Sequence, residues 1–255
     1  MLKNKIAVIT GSSNGLGAQI ACKFVEEGIH GLVIHGREAK ALVQTREACV
    51  NLGLPESQIV EVLGDITKES TITELAKKPV EVFQRLDILV NNAAAHSLSA
   101  FEHSHMLTLD CLMNVNVKAP VALTKRCFKA LTLSKGSIVN ISASETLRCN
   151  EMTLFYTMTK AALNQFTKSL AKEIAPKGVR VNGVCPGHMP GTKLYVRSGS
   201  EGSEAKAMAK QTSLFYPLGR CADVGDVARA VTWLASDQSA FTTGALLTVD
   251  GGFSL

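Results

Sequence analysis

A phenol and an amine set the chemistry open to this chain, in Tyr156-Thr157-Met158-Thr159-Lys160. Four apart on a helix, the two side chains lie one above the other on one face. A phenol titrates near ~10, and a neighbouring cation favours its ionised form. The spacing therefore predicts that Lys160 lowers the pKa of Tyr156, making the pair a candidate general acid/base near neutral pH. Such a pair needs a reaction partner, which points to a second stretch, Thr10-Gly11-Ser12-Ser13-Asn14-Gly15-Leu16-Gly17. It follows a strand-like run and opens a helical one. Glycines there let backbone approach a ligand closely, and a helix N-terminus offers free N–H groups and a positive dipole end to a pyrophosphate. Strand, turn, helix and second strand in that order are the context that makes the turn a dinucleotide cradle.

The elements that must position these groups are legible as alternation. Apolar, β-branched runs occur at Lys5 to Thr10, Gly31 to His35, Ile59 to Leu63, Leu86 to Val90, Gly136 to Ile141, Val179 to Val184 and Ala245 to Val249. Helical patterns fill the gaps at Ala18 to Glu27, Glu38 to Asn51, Ile72 to Gln84, Thr108 to Leu131, Thr157 to Ile174 and Val224 to Leu234. Strands apolar throughout and separated by helices predict a parallel sheet covered on both faces, an α/β doubly wound fold of seven strands. No linker or composition break divides the 255 residues, so one domain spanning 1–255 is expected.

Composition narrows the class. A net charge of +5, with Lys and Arg scattered in no run longer than two, provides no tail for nucleic acid or an anionic membrane. Seven cysteines without C-x-x-C spacing read as free thiols in a reducing compartment, with no metal site. The N-terminus enters a strand almost at once and no apolar run is long enough to span a bilayer, so a cytoplasmic protein is expected.

On these motifs the chain resembles the short-chain dehydrogenase/reductase family, in its short single-domain form, and is similar to 3-oxoacyl-acyl-carrier-protein reductase-like members. The resemblance runs through Thr10 to Gly17, Asn91-Asn92-Ala93-Ala94, Tyr156 to Lys160, Pro186-Gly187 and the closing Val249-Asp250-Gly251-Gly252. It implies a Rossmann-type fold and hydride transfer between NAD(P)(H) and a carbonyl or secondary alcohol. Tyr156 would be the acid/base, Lys160 would hold the ribose, and Asn116 would relay protons through a water on its main-chain carbonyl. The cofactor would be held by Gly11, Ser13, Asn14, Gly15, Leu16, Gly17, Arg37, Asp65, Ile66, Asn92, Ala93, Tyr156, Lys160, Pro186, Gly187 and Thr192, the last one residue beyond the family position. The ending Leu246 to Gly252 resembles the family's tetramer-forming segment, implying a homotetramer.

Four readings of the residues stand beside that resemblance. At the end of the second strand, Ile34-His35-Gly36-Arg37 has no carboxylate in the expected place and an Arg suited to a 2′-phosphate, so NADP(H) is expected over NAD(H). Asp65 is read as an adenine contact or as a helix cap. Pro120, four residues after Asn116, has no N–H for the Asn116 carbonyl, which leaves that carbonyl to water and bends the helix. The fourth concerns the substrate oxygen. Ala143 stands thirteen residues before Tyr156, where the family has a serine, flanked by Ser142 and Ser144. If the strand runs straight through, neither serine reaches the site; a bend past Ile141 would turn Ser144 inward, and Ser144 is taken as the donor. Further along, the Gly- and Ser-rich stretch 198–202 reads as a lid or a surface loop. His96, His103, His105 and His188 have no metal spacing, and His96 and His188 are candidates to line the pocket. The alternative to an enzyme is a catalytically weak or inactive cofactor-binding regulator on the same fold.

Overall fold

The computed structural model describes residues 1–190, 192, 194 and 213–255. Seven strands form one parallel sheet: β1 (Ile6–Ile9), β2 (Gly31–Gly36), β3 (Ile59–Leu63), β4 (Ile88–Asn91), β5 (Ser137–Ile141), β6 (Arg180–Pro186) and β7 (Leu246–Val249). Their order is β3-β2-β1-β4-β5-β6-β7. The four central strands, β1, β2, β4 and β5, are buried at every position, which is why they read as unbroken apolar runs.

Helices α1 (Gly15–Glu26), α2 (Ala39–Asn51) and α7 (Val224–Ala235) cover one face, where Ile20, Phe24, Leu42, Val227, Val231 and Leu234 pack on the sheet. On the other lie α3 (Glu69–Phe83), α5 (Ala119–Ser134) and α6 (Leu154–Ile174), with Leu75, Leu123, Leu131 and Ile174 in the second core. The expected single α/β domain is therefore present. One boundary differs in kind. The stretch read as a single helix from Thr108 to Leu131 is α4 (Met106–Met113), a π turn over Asn114–Lys118, and then α5. Pro120 causes this, because its missing N–H and its ring disfavour the ordinary i−4 ladder, and Ala119 N–H instead reaches back five residues to Asn114 O.

The chain runs outward from β1 to β3 and then returns to place β4 beside β1. The crevice at the carboxyl ends of these two strands is the switch point where such sheets bind ligands. Side chains stitch it. Thr10 Oγ1 accepts from Asn92 N–H at 2.9 Å and Ala93 N–H at 3.0 Å, while Asn92 Nδ2 donates to Thr10 O at 2.8 Å and Gly11 O at 3.0 Å.

Beyond the switch point the sheet contains an amide ladder. Asn91 and Asn140 are register partners on β4 and β5, and Asn91 Nδ2 donates to Asn140 Oδ1 at 2.8 Å and to Thr124 Oγ1 of α5 at 3.2 Å. Asn140 Nδ2 donates to Thr167 Oγ1 of α6 at 2.8 Å. All four residues are buried. A buried amide left without partners costs about 1–3 kcal/mol, so the ladder fixes α6, and with it Tyr156 and Lys160, against β5.

Candidate active site

The floor of the crevice is the turn between β1 and α1. Gly11 has φ +64°, and a Cβ there would lie 2.8 Å from Ala93 Cα. At Gly17 a Cβ would stand 2.3 Å from Gly11 O. Only glycine keeps the turn this close to β4. No side chain caps α1 at Asn14 and its first turn holds no acidic residue, so the helix's positive end is uncompensated. Ser13, Asn14, Gly15, Leu16 and Gly17 line the cleft at that end. Such a terminus fits an anionic diphosphate.

His35, at the end of β2, holds the turn from below. Gly11 N–H donates to its Nδ1 at 3.1 Å, so the proton sits on Nε2, which donates to Gly64 O at 3.1 Å. Burial lowers its pKa to about 4, since a charged ring there would lose solvation and its acceptor together. Beyond it, Arg37, Asp65 and Ile66 line the cleft as expected, and so does Glu38, which the sequence reading passed over. Asp65 is no cap of α3. Its Oδ1 accepts from Thr67 N–H at 2.9 Å and Thr67 Oγ1 at 2.8 Å, bonds that hold its carboxyl below the usual range.

Asn116 lies in the π turn, fully buried. Its side chain clamps the segment after β4: Ala95 N–H donates to Oδ1 at 2.8 Å, and Nδ2 donates to Ala95 O at 2.9 Å and Thr159 Oγ1 at 3.0 Å. It does not line the cleft but positions residues that do, among them Ala93 to His96. Ala94, where the family has glycine, has no positive φ, so its methyl is accommodated without strain.

At the closed end, Tyr156 and Lys160 project from α6 into the cleft beside Ala143 and Ser142. Both are only 2% exposed. Lys160 Nζ donates to Ile141 O at 2.8 Å and lies 5.7 Å from the Tyr156 ring centroid. The charge expectation needs correction. Burial, with Glu145 and Cys185 nearby, pushes the Tyr156 phenol well above its ordinary value, and burial lowers Lys160 to about 8. Desolvation outweighs the cation, so Lys160 is the member of the pair that titrates near neutrality.

Ser144 also needs correction. The backbone stays extended through Ala143, at φ −156° and ψ 144°, and bends only afterwards into a short 3₁₀ turn, Ser144–Thr146. Alternation therefore keeps Ala143 in the wall, packed with Leu112 and Tyr156, while Ser144 is buried outside the cleft. Ser142 lines the cleft, but its hydroxyl donates to Lys160 O at 3.3 Å. After β6, Pro186 and Thr192 line the cleft. Gly187 does not; it packs where a Cβ would stand 3.0 Å from Asp250 Cα. A Cβ on Gly15 would lie 3.7 Å from the Thr192 side chain, so the loop after β6 crosses to the start of α1. The 198–202 stretch lies outside the described residues.

His96 is the other cleft residue of note. Its ring meets Tyr156 edge to face, centroids 4.5 Å apart, and burial, aided by His188 and Lys160, lowers it to about 4. His188 also titrates below its ordinary value through burial, but it does not line the cleft. Glu38 and His96 carried no motif, and only the assembled sheet shows their place.

Comparison with known proteins agrees with this geometry. Residues 11–254 match the family model described as enoyl-(acyl carrier protein) reductase. An uncharacterised oxidoreductase of Thermotoga maritima is 33% identical over 251 residues, covering 98% of this chain and 97% of the relative. A short-chain dehydrogenase/reductase of unknown function from Caenorhabditis elegans, solved with cofactor, superposes with a TM-score of 0.93 at 31% identity, covering 99% of this chain and 96% of the other. The 3-ketoacyl-(acyl-carrier-protein) reductase of Brucella melitensis, complexed with NADH, gives 0.89 at 28% identity, with both chains covered completely. The chain thus belongs to the matched family, within the short-chain dehydrogenases/reductases, and is an oxidoreductase acting between CH–OH and C=O groups.

Proposed function

We propose that this chain transfers a hydride between NADP(H) and a carbonyl or secondary alcohol, with Tyr156 as general acid/base assisted by Lys160. One observation carries the reading: a single cleft holds the uncapped start of α1 at one end and the buried Tyr156–Lys160 pair at the other. A dinucleotide has a diphosphate for the first and a reactive ring for the second. Gly11 to Gly17, Asn92, Ala93, Pro186 and Thr192 would hold the cofactor, which supplies the hydride when bound; the NADH complex of the Brucella relative supports this class.

The chain's own residues manage the proton. Burial keeps the Tyr156 phenol protonated, and it donates to the carbonyl oxygen as negative charge develops there. Lys160, close to its midpoint near neutral pH, is the group through which the phenolic proton is restored. Asn116 O, in the π turn opened by Pro120, is available to bind a water on that route.

For the cofactor's second phosphate, exposed Arg37 in the cleft supports NADP(H). Glu38 beside it favours NAD(H), because a carboxylate accepts from ribose hydroxyls and repels a 2′-phosphate. Replacement of Arg37 by Ala should weaken NADPH binding about 10-fold or more and leave NADH within about twofold. Equal loss for both would reject the NADP(H) assignment.

A catalytically weak regulator is the second reading, favoured by the bare methyl of Ala143 in the wall. Cofactor oxidation followed by nicotinamide absorbance, over ketones and 3-oxoacyl thioesters, separates the two. Turnover abolished by Tyr156→Phe establishes the reductase; tight cofactor binding without turnover favours the regulator. We further propose a cytoplasmic homotetramer of this single domain. Exposed Met106 and Leu107 on α4 and Phe241 before β7 support self-association, and the exposed free thiols Cys111 and Cys149 support a reducing compartment.

A further inference from the structure

Hydride transfer to a carbonyl leaves negative charge on its oxygen, and preorganised donors aimed at that oxygen are worth several kcal/mol in a buried site. Tyr156 provides one. The neighbouring wall, Ala143, provides none. Most other polar side chains near the pair are committed elsewhere. Asn92 Nδ2 donates to Thr10 O and Gly11 O, Ser142 to Lys160 O, Thr192 to Met189 O, and Lys160 to Ile141 O.

We propose that His96 is the second hydrogen-bond donor to the substrate's carbonyl oxygen, and so a catalytic residue of this chain. The assignment rests on the carbonyl-reduction reading above. His96 lines the cleft, and its ring centroid is 4.5 Å from that of Tyr156, so an oxygen bonded to the phenol lies beside the imidazole. The ring is neutral at working pH and carries one N–H, which it can share without the solvation loss of a buried cation. It is also held in place. The residue before it, Ala95, is clamped through both its N–H and its carbonyl by Asn116, which is itself bonded to Thr159 on the helix bearing Tyr156. Donor and acid are therefore positioned by one connected set of bonds.

The test uses the full-length protein with saturating NADPH and two activated probes, butane-2,3-dione and ethyl acetoacetate. The chains compared are the parent, His96→Phe, His96→Gln, Ala143→Ser, the Ala143→Ser/His96→Phe double variant and Tyr156→Phe. His96→Phe should lower kcat ~10²-fold with KM changed less than about threefold, and His96→Gln, which keeps an N–H, should lose less. In the Ala143→Ser background, where a hydroxyl replaces the bare methyl, His96→Phe should cost less than about tenfold. A His96→Phe kcat within about threefold of the parent, while Tyr156→Phe remains inactive, overturns the donor assignment alone. An equal loss in both backgrounds also overturns it, since a merely structural role predicts that result. If Tyr156→Phe turns over like the parent, or the parent turns over neither probe, the reductase reading falls and the donor with it.

Discussion

Acidification should loosen the cofactor cradle through His35, and the size of the effect follows from its surroundings. The folded protein binds the neutral ring, with a pKa of about 4, whereas an unfolded histidine titrates near ~6.5. Between these values the unfolded chain takes up a proton that the folded chain refuses, so stability falls as pH drops below about 6.5 and the loss levels off below about 4. At ~1.36 kcal/mol per pH unit, the gap amounts to about 2 kcal/mol lost by pH ~5 and about 3 kcal/mol in full. His35 is 2% exposed, so solvent offers little relief. The assay is urea unfolding at pH ~7.5, ~6 and ~5 for the parent and for His35→Asn, which can still accept from Gly11 N–H but does not titrate. Other groups contribute to each curve, but the difference between the two pH slopes isolates this ring. The parent should lose about 2 kcal/mol more than the variant between pH ~7.5 and ~5. Parallel slopes would refute a depressed His35 and the tautomer deduced from its bonds.

Two further perturbations follow from the geometry. Gly17→Ala places a methyl 2.3 Å from Gly11 O and 2.6 Å from Asn92 Nδ2, so the turn must open; dinucleotide affinity by calorimetry should drop ~10²-fold, with about 1–3 kcal/mol lost in urea unfolding. Asn116→Ala removes three buried bonds, and should cost about 2–4 kcal/mol in unfolding and lower kcat; unchanged stability would mean that the clamp on Ala95 is not structural.

What the sequence disclosed was what local chemistry determines. Seven strands could be read because burial on both faces demands apolar, β-branched runs, and the cradle because its glycines are obligatory where backbone meets backbone. β4 extends one residue beyond its apolar run because Asn91 belongs to the amide ladder, a long-range reason for a residue that disfavours strands. Pro120 announced an irregular helix, but the π turn it produces depends on where α5 packs. Tyr156 and Lys160 were legible as neighbours; their charge states were not, because spacing conveys proximity and says nothing about solvent. Ser144 hinged on whether the backbone bends before or after Ala143, a matter of two dihedral angles. Glu38 and His96 reach the cleft only through strand order.

The amide ladder between β4 and β5 also determines where this chain could be cut and rejoined. Its members span Asn91 to Thr167, and His96, Asn116, Ala143, Tyr156 and Lys160 all fall inside that interval. A chimaera with a relative joined between residues 91 and 140 must match foreign amides across a buried seam, whereas one joined outside the interval inherits the seam whole. The proton-handling machinery therefore forms a transplantable cassette, separate from the cradle at the start of the chain, so each can be exchanged for another cofactor or another substrate.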